Sequence, residues 1–154
     1  MVRVLFICHG NICRSPMAEF VMKKLVSDAG LSDKIYIESA ATSSEEEGNP
    51  VYPLAREQLN AHGISCAGKR AYRFQESDYP KFDYIIAMEK YNLKCMSRRL
   101  GKYAGDPDGK ISLLLDYTDH PGDISDPWYN GLFAEVYEEI EEGCRGLLNY
   151  LLER

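Results

Sequence analysis

The chain has 154 residues, and its 18 basic and 24 acidic side chains give a formal net charge of −6. That length suits one domain over residues 1–154, able to bury roughly 68–70% of its unfolded surface. The acidic balance argues against duplex nucleic acid or an anionic membrane as the main partner, so any basic function must be local.

In chain order, MVRVLFICHG holds only six apolar or near-apolar residues before Cys8-His9-Gly10. This is too short for a signal-peptide core or a membrane span, and it reads as a buried strand. Ser15-Pro16 offers a helix cap and first helical residue, followed by Met17, Phe20, Val21 and Leu25 on one stripe that stops before Gly30. KIYIE at 34–38 alternates as a strand. The polar loop TSSEEEGNP then leads to a helix from Pro53 to His62, with Leu54 and Leu59 expected inward and Gly63 as the stop. FDYIIA at 82–87 is a buried-strand candidate, followed by a helical stretch near Glu89–Leu100 and a short strand near Lys110–Leu114. The last helix is the clearest, because Leu132, Phe133, Val136, Tyr137, Ile140, Cys144, Leu147, Leu148 and Leu151 recur at three- and four-residue steps. Glu135, Glu138, Glu139, Glu141 and Glu142 form its solvated face.

Strands alternating with helices predict an α/β fold, with a parallel sheet, right-handed crossovers and helices on both faces. A ligand then belongs beyond the carboxyl ends of the strands, which points to the loop after strand 1. Five cysteines (Cys8, Cys13, Cys66, Cys95 and Cys144) without secretory context or zinc spacing predict reduced thiols, a cytoplasmic protein and no metal site.

The loop Cys8-His9-Gly10-Asn11-Ile12-Cys13-Arg14-Ser15 joins a buried strand to a helix amino terminus, whose free N–H groups and dipole attract an anion. Gly10 allows the backbone to turn inward and Asn11 tolerates the left-handed conformation, so successive N–H groups can converge on a phosphate. The same field favours thiolate at Cys8, the nucleophilic form. Arg14 supplies a planar fork for two phosphoryl oxygens, and the Ser15 hydroxyl can donate to the sulfur. The loop fits no GxxxxGK[ST] nucleotide site. By itself it leaves phosphate-ester hydrolysis and oxyanion reduction both open.

CHGNICRSPMAE resembles the CxGNxCRSP signature of the low-molecular-weight protein tyrosine phosphatases, and Asp126-Pro127-Trp128-Tyr129 is similar to that family's DP-aromatic-aromatic motif. The resemblance implies a single-domain, four-stranded parallel sheet with a phosphate-binding loop after strand 1. It implies Cys8, Arg14 and Asp126 as catalytic residues, with Asp126 protonating the leaving-group oxygen and then helping water attack the cysteinyl phosphate. The remaining loop residues His9, Gly10, Asn11, Ile12, Cys13 and Ser15 would bind the phosphate, and Trp128 and Tyr129 would wall the cleft. Asn11, Ser15 and Ser39 would support the loop, and Cys13 would be a redox partner of Cys8. No cofactor is implied. The partner expected is a phosphotyrosine protein or small aryl phosphate, met by a monomer or weak dimer.

The chain departs from the family pattern in two places. Ser43-Ser44-Glu45-Glu46-Glu47 stands where the family often has an aromatic, giving an acidic rim that disfavours acidic phosphopeptides. Gly68 stands near the position of a histidine that supports the loop. Two related activities compete. Thioredoxin-coupled arsenate reduction needs two further cysteines near the helix after strand 3, where only Cys95 occurs. Phosphoarginine hydrolysis goes with a smaller polar residue at the position of Ile12.

Overall fold

The computed structural model describes residues Met1–Arg154. The β-branched and apolar run at the amino terminus forms β1 (Val2–Cys8), and β2 (Ile35–Ala41), β3 (Tyr84–Ala87) and β4 (Ile111–Leu113) lie parallel to it in the order β2-β1-β3-β4. The helices are α1 (Arg14–Asp28), α2 (Pro53–Ala61), α3 (Lys90–Ser97), α4 (Pro127–Asn130) and α5 (Phe133–Leu152).

β1 is central, so both of its faces are covered. Val4, Phe6 and Cys8 join one core with α1, α2 and α5, while Leu5 and Ile7 join the other with Phe74, Tyr79 and Met96. Fully burying each such side chain contributes roughly 1.5–3 kcal/mol. From β1 the chain crosses to β2 on one side, and β3 later pairs on the other. The strand order therefore reverses at the carboxyl end of β1, the point where open parallel sheets bind ligands, and Cys8 is its last residue.

The expected elements are present, with informative differences in detail. Helix α1 starts at Arg14, with Cys13 at its cap and no side-chain capping bond. Ser15 is thus inside the helix rather than at its cap, and its hydroxyl is used elsewhere. The buried stripe of α1 runs through Met17, Ala18, Val21, Met22 and Val26, leaving Phe20 and Leu25 half-buried. Leu54, expected inward, is 43% exposed, because α2 turns only Ala55 and Leu59 to the core. Leu132 is 49% exposed, since it precedes the first turn of α5 instead of lying on its buried face.

Helix α5 packs against the 3-10 turn Leu114–Tyr117 so closely that two glycines are needed. A Cβ at Gly143 would stand 2.5 Å from Leu114 Cγ, and one at Gly146 would stand 2.1 Å from the Tyr117 carbonyl oxygen. No helix is long and apolar enough to cross a membrane.

Candidate active site

The loop between β1 and α1 curls around the Cys8 sulfur. Asn11 takes the left-handed conformation expected of it, with φ of 60°, and this aims its backbone N–H at Cys8 Sγ, 3.3 Å away. Ser15 Oγ lies 2.9 Å from the same sulfur. Because Asn11 Nδ2 donates to Ser15 Oγ at 2.8 Å, the serine hydroxyl hydrogen is free for the sulfur. Two donors therefore face Cys8, and both stabilise negative charge there.

Behind the loop lies a buried polar chain. Asn11 Nδ2 also donates to Ser39 Oγ (2.9 Å), and Ser39 donates to Glu19 Oε1 (2.5 Å). The Tyr72 N–H donates to Asn11 Oδ1 at 3.0 Å, closing the amide's partners. Lys69 Nζ reaches both the Ser39 carbonyl (2.9 Å) and Glu19 Oε1 (3.2 Å). Beside Gly68, near the position where the family pattern has a loop-supporting histidine, Lys69 thus places a cation on the carboxylate that holds Ser39. Glu19 is buried at 3% exposure, and an unpaired carboxylate there would be costly, so the Lys69 ion pair and the Ser39 bond make its burial tolerable.

Arg14 is buried, and its guanidinium is held from the far side. Nη1 donates to Glu89 Oε2 (3.0 Å) and to the Ile124 carbonyl (2.8 Å), while Nη2 stands 3.4 Å from Asp126 Oδ2. Burial pulls its pKa down, but the charge of Cys8, the hydrogen bond to Glu89 and the charge of Asp126 outweigh it and hold the value above the ordinary one. Asp126 itself caps α4 through Oδ1, which accepts from the Trp128 N–H at 3.0 Å. Its other oxygen is left toward Arg14. The DP pair therefore opens a short helix rather than a plain turn, with Pro127 in the first helical position.

Together these elements enclose a cleft of about 420 Å³, with Cys8, Ile12 and Arg14 among its lining residues and Asp126, Trp128 and Tyr129 on a facing wall. His9, Gly10 and Cys13 also line it; Asn11, Ser15 and Ser39 stand behind, as supports. The Trp128 ring packs edge-on against Tyr52, with centroids 4.7 Å apart. Asp123, three residues before Asp126, is occupied in accepting the Lys90 N–H at 2.9 Å. His62 caps α2 and stacks on Tyr137 at 4.0 Å, and His120 lies on the surface with Glu142. Cys13 is a buried thiol pushed well above the ordinary range, first by burial and then by the charges of Cys8 and Asp126.

A model of the low molecular weight phosphotyrosine protein phosphatases matches residues 3–154. The chain belongs to this family. It is 41% identical over 150 residues to the low molecular weight protein-tyrosine-phosphatase YfkJ of Bacillus subtilis (strain 168), covering 96% of this chain and 94% of that one. The crystal structure of YfkJ superposes with a TM-score of 0.93 at 39% identity, covering 99% of this chain and 96% of the other. The low molecular weight phosphotyrosine protein phosphatase of Sus scrofa is 40% identical over 148 residues, 94% of this chain and 92% of that one. The crystal structure of DARP, a drosophila arginine phosphatase, is also similar, with a TM-score of 0.86 at 32% identity over 96% of each chain.

Within this family frame the structure adds residues that motif reading passed over. Glu89 and Tyr91 follow β3 and line the cleft. The rule that placed a ligand beyond strand ends applied to β3 as much as to β1, and it was the available signal for both. Glu19 and Lys69 carried no signal in sequence, because only the fold brings them to Ser39.

Proposed function

We propose that the protein hydrolyses phosphotyrosine and aryl phosphates through a cysteinyl phosphate on Cys8. The Cys8 thiolate attacks phosphorus as the phosphorus–oxygen bond to the leaving group breaks, and Asp126 gives that oxygen its proton. Water then attacks the cysteinyl phosphate and passes a proton to Asp126, while the sulfur leaves with the bonding pair, eased by the Ser15 hydroxyl and the Asn11 N–H. Arg14 and the loop N–H groups bind the phosphoryl oxygens throughout, and proton donation to a phenolate contributes about 10²–10⁴-fold.

The observation that carries this reading is the convergence of Cys8, Arg14 and Asp126 on one cleft, with the Arg14 and Asp126 side chains 3.4 Å apart. The aromatic wall of Trp128 and Tyr129 suits an aryl substrate. Phosphoarginine is the second reading, favoured by the likeness to the drosophila arginine phosphatase, but apolar Ile12 in the cleft argues for a ring. Oxyanion reduction lacks its thiols, since Cys95 is the one cysteine of α3 and Met88, not a cysteine, follows the preceding strand.

Five free thiols support a cytoplasmic setting, where thiols stay reduced, and a monomer or weak dimer fits a cleft complete within one chain. Cys13, on the same loop as Cys8, is the proposed redox partner. Peroxide would oxidise Cys8 to a sulfenic acid, and attack by the Cys13 sulfur would expel water to leave a disulfide that thiols reduce.

The deciding experiment is hydrolysis of p-nitrophenyl phosphate, phosphotyrosine peptide and phosphoarginine by wild type and Cys8→Ala. Turnover of the two aryl substrates that is blocked by vanadate and abolished in Cys8→Ala is expected. Retained turnover in Cys8→Ala would end the proposal.

A further inference from the structure

We infer that the cleft selects phosphotyrosine flanked by lysine or arginine, and that Glu45 and Glu46 make the selection. This rests on the phosphatase reading above and adds the class of substrate.

The inference starts from the sign of the charges around the cleft. Its charged lining consists of Arg14, Glu45, Glu46, Glu89 and Asp126. The single cation lies at the floor, 2% exposed, with Glu89 and Asp126 already on its two amino groups. At the mouth the field is therefore acidic. Glu46 is fixed there by Asn49 Nδ2, which donates to its Oε2 at 3.0 Å, and by packing over Gly10, where a Cβ would meet Glu46 Cγ at 3.4 Å. Glu45 has a 71% exposed side chain and pairs with His9 Nε2 at 3.1 Å, which ties the rim to the phosphate loop. Tyr91 lines the same cleft. Glu47 does not line the cleft.

A phosphotyrosine that reaches Cys8 leaves its own backbone lying across this mouth. An extended peptide advances roughly 3.3 Å per residue, so side chains one to three positions away fall beside Glu45 and Glu46. A cation there offsets the repulsion that the rim exerts on the incoming phosphate dianion, while an anion adds to it. The effect acts on encounter and binding, not on the bond-breaking step, so it belongs in KM.

The test uses three phosphotyrosine peptides of one length, with lysine and arginine, neutral, or acidic flanks, at low salt. Surface pairs of this kind each change affinity about two- to fivefold, and two carboxylates predict a basic-to-acidic ratio in kcat/KM of about tenfold, carried by KM. Raising the salt should compress the ratio. The double variant Glu45→Gln/Glu46→Gln should bring it to about twofold, and Glu47→Gln should leave most of it. Equal rates for basic and acidic peptides, with the neutral peptide still hydrolysed, would overturn the inference and leave the phosphatase reading standing. A ratio that survives the double variant would remove the assignment to these two residues. Failure to hydrolyse any of the three would strike the underlying reading instead.

Discussion

Ser39→Ala tests whether the buried chain behind the loop holds it in shape. Ser39 is 2% exposed and touches no substrate, but its hydroxyl accepts from Asn11 Nδ2 and donates to Glu19 Oε1. Removing it deletes one neutral hydrogen bond, worth about 0.5–1.5 kcal/mol, and one to a charged group, worth about 1.5–3 kcal/mol. Lys69 stays on Glu19 and Ser15 keeps one of the two Asn11 Nδ2 hydrogens, so only the hydrogen that faced Ser39 loses its partner and the net loss should be about 2–3 kcal/mol. For a chain of this size that corresponds to about 4–12 °C in Tm. The left-handed Asn11, freed from one of its anchors, no longer aims its N–H firmly at Cys8, and kcat should fall about tenfold, since small misplacements near reacting atoms are expensive. Thermal unfolding and steady-state kinetics on p-nitrophenyl phosphate read the two effects. A Tm within about 1 °C of wild type together with unchanged kcat would refute the reasoning.

Asp126→Asn should slow a phosphotyrosine-like phenol ester far more than an ester with a good leaving group; equal slowing would remove Asp126 as the acid. Gly143→Ala forces a methyl group to 2.5 Å from Leu114 Cγ, and a loss of about 1–3 kcal/mol is expected in urea unfolding; a neutral result would mean that α5 moves away without strain. Stability should decline above pH 9. Burial raises the Cys144 and Cys13 thiols above their ordinary value of 9.0, so the unfolded chain releases those protons first and binds fewer than the folded one. The slope approaches about 1.4 kcal/mol per pH unit for each thiol. Tyr79 and Tyr137, pushed to about 12 mainly by burial, act in the same sense. A urea midpoint that rises between pH 9 and 10.5 would contradict this.

What sequence could reveal followed the range of the interactions. The phosphate loop was legible because its parts are contiguous: a strand end, a turn residue, a fork and a helix start within eight positions. Asp126 is remote, and only its aromatic neighbours in the motif pointed to it. A serine before a helix ordinarily caps it, but the Ser15 hydroxyl faces the Cys8 sulfur seven residues back, a partner that the local rule ignores. Leu54 and Leu132 were expected inward because periodicity gives a stripe but not its edges; α2 is covered on too narrow a face to include Leu54. The Lys69 support for Glu19 has no sequence signature, since a lysine beside a glycine in a loop is ordinarily solvated.

The central claim is that phosphate passes through a covalent bond to Cys8. Acid quenching during turnover of p-nitrophenyl phosphate, followed by digestion and mass spectrometry, tests it directly. One phosphoryl group on the Cys8 peptide, absent in Cys8→Ala and accumulating in Asp126→Asn with this good leaving group, is predicted. Full turnover with no phosphorylated Cys8 peptide at any quench time, or with the phosphoryl group on another residue, would contradict the account.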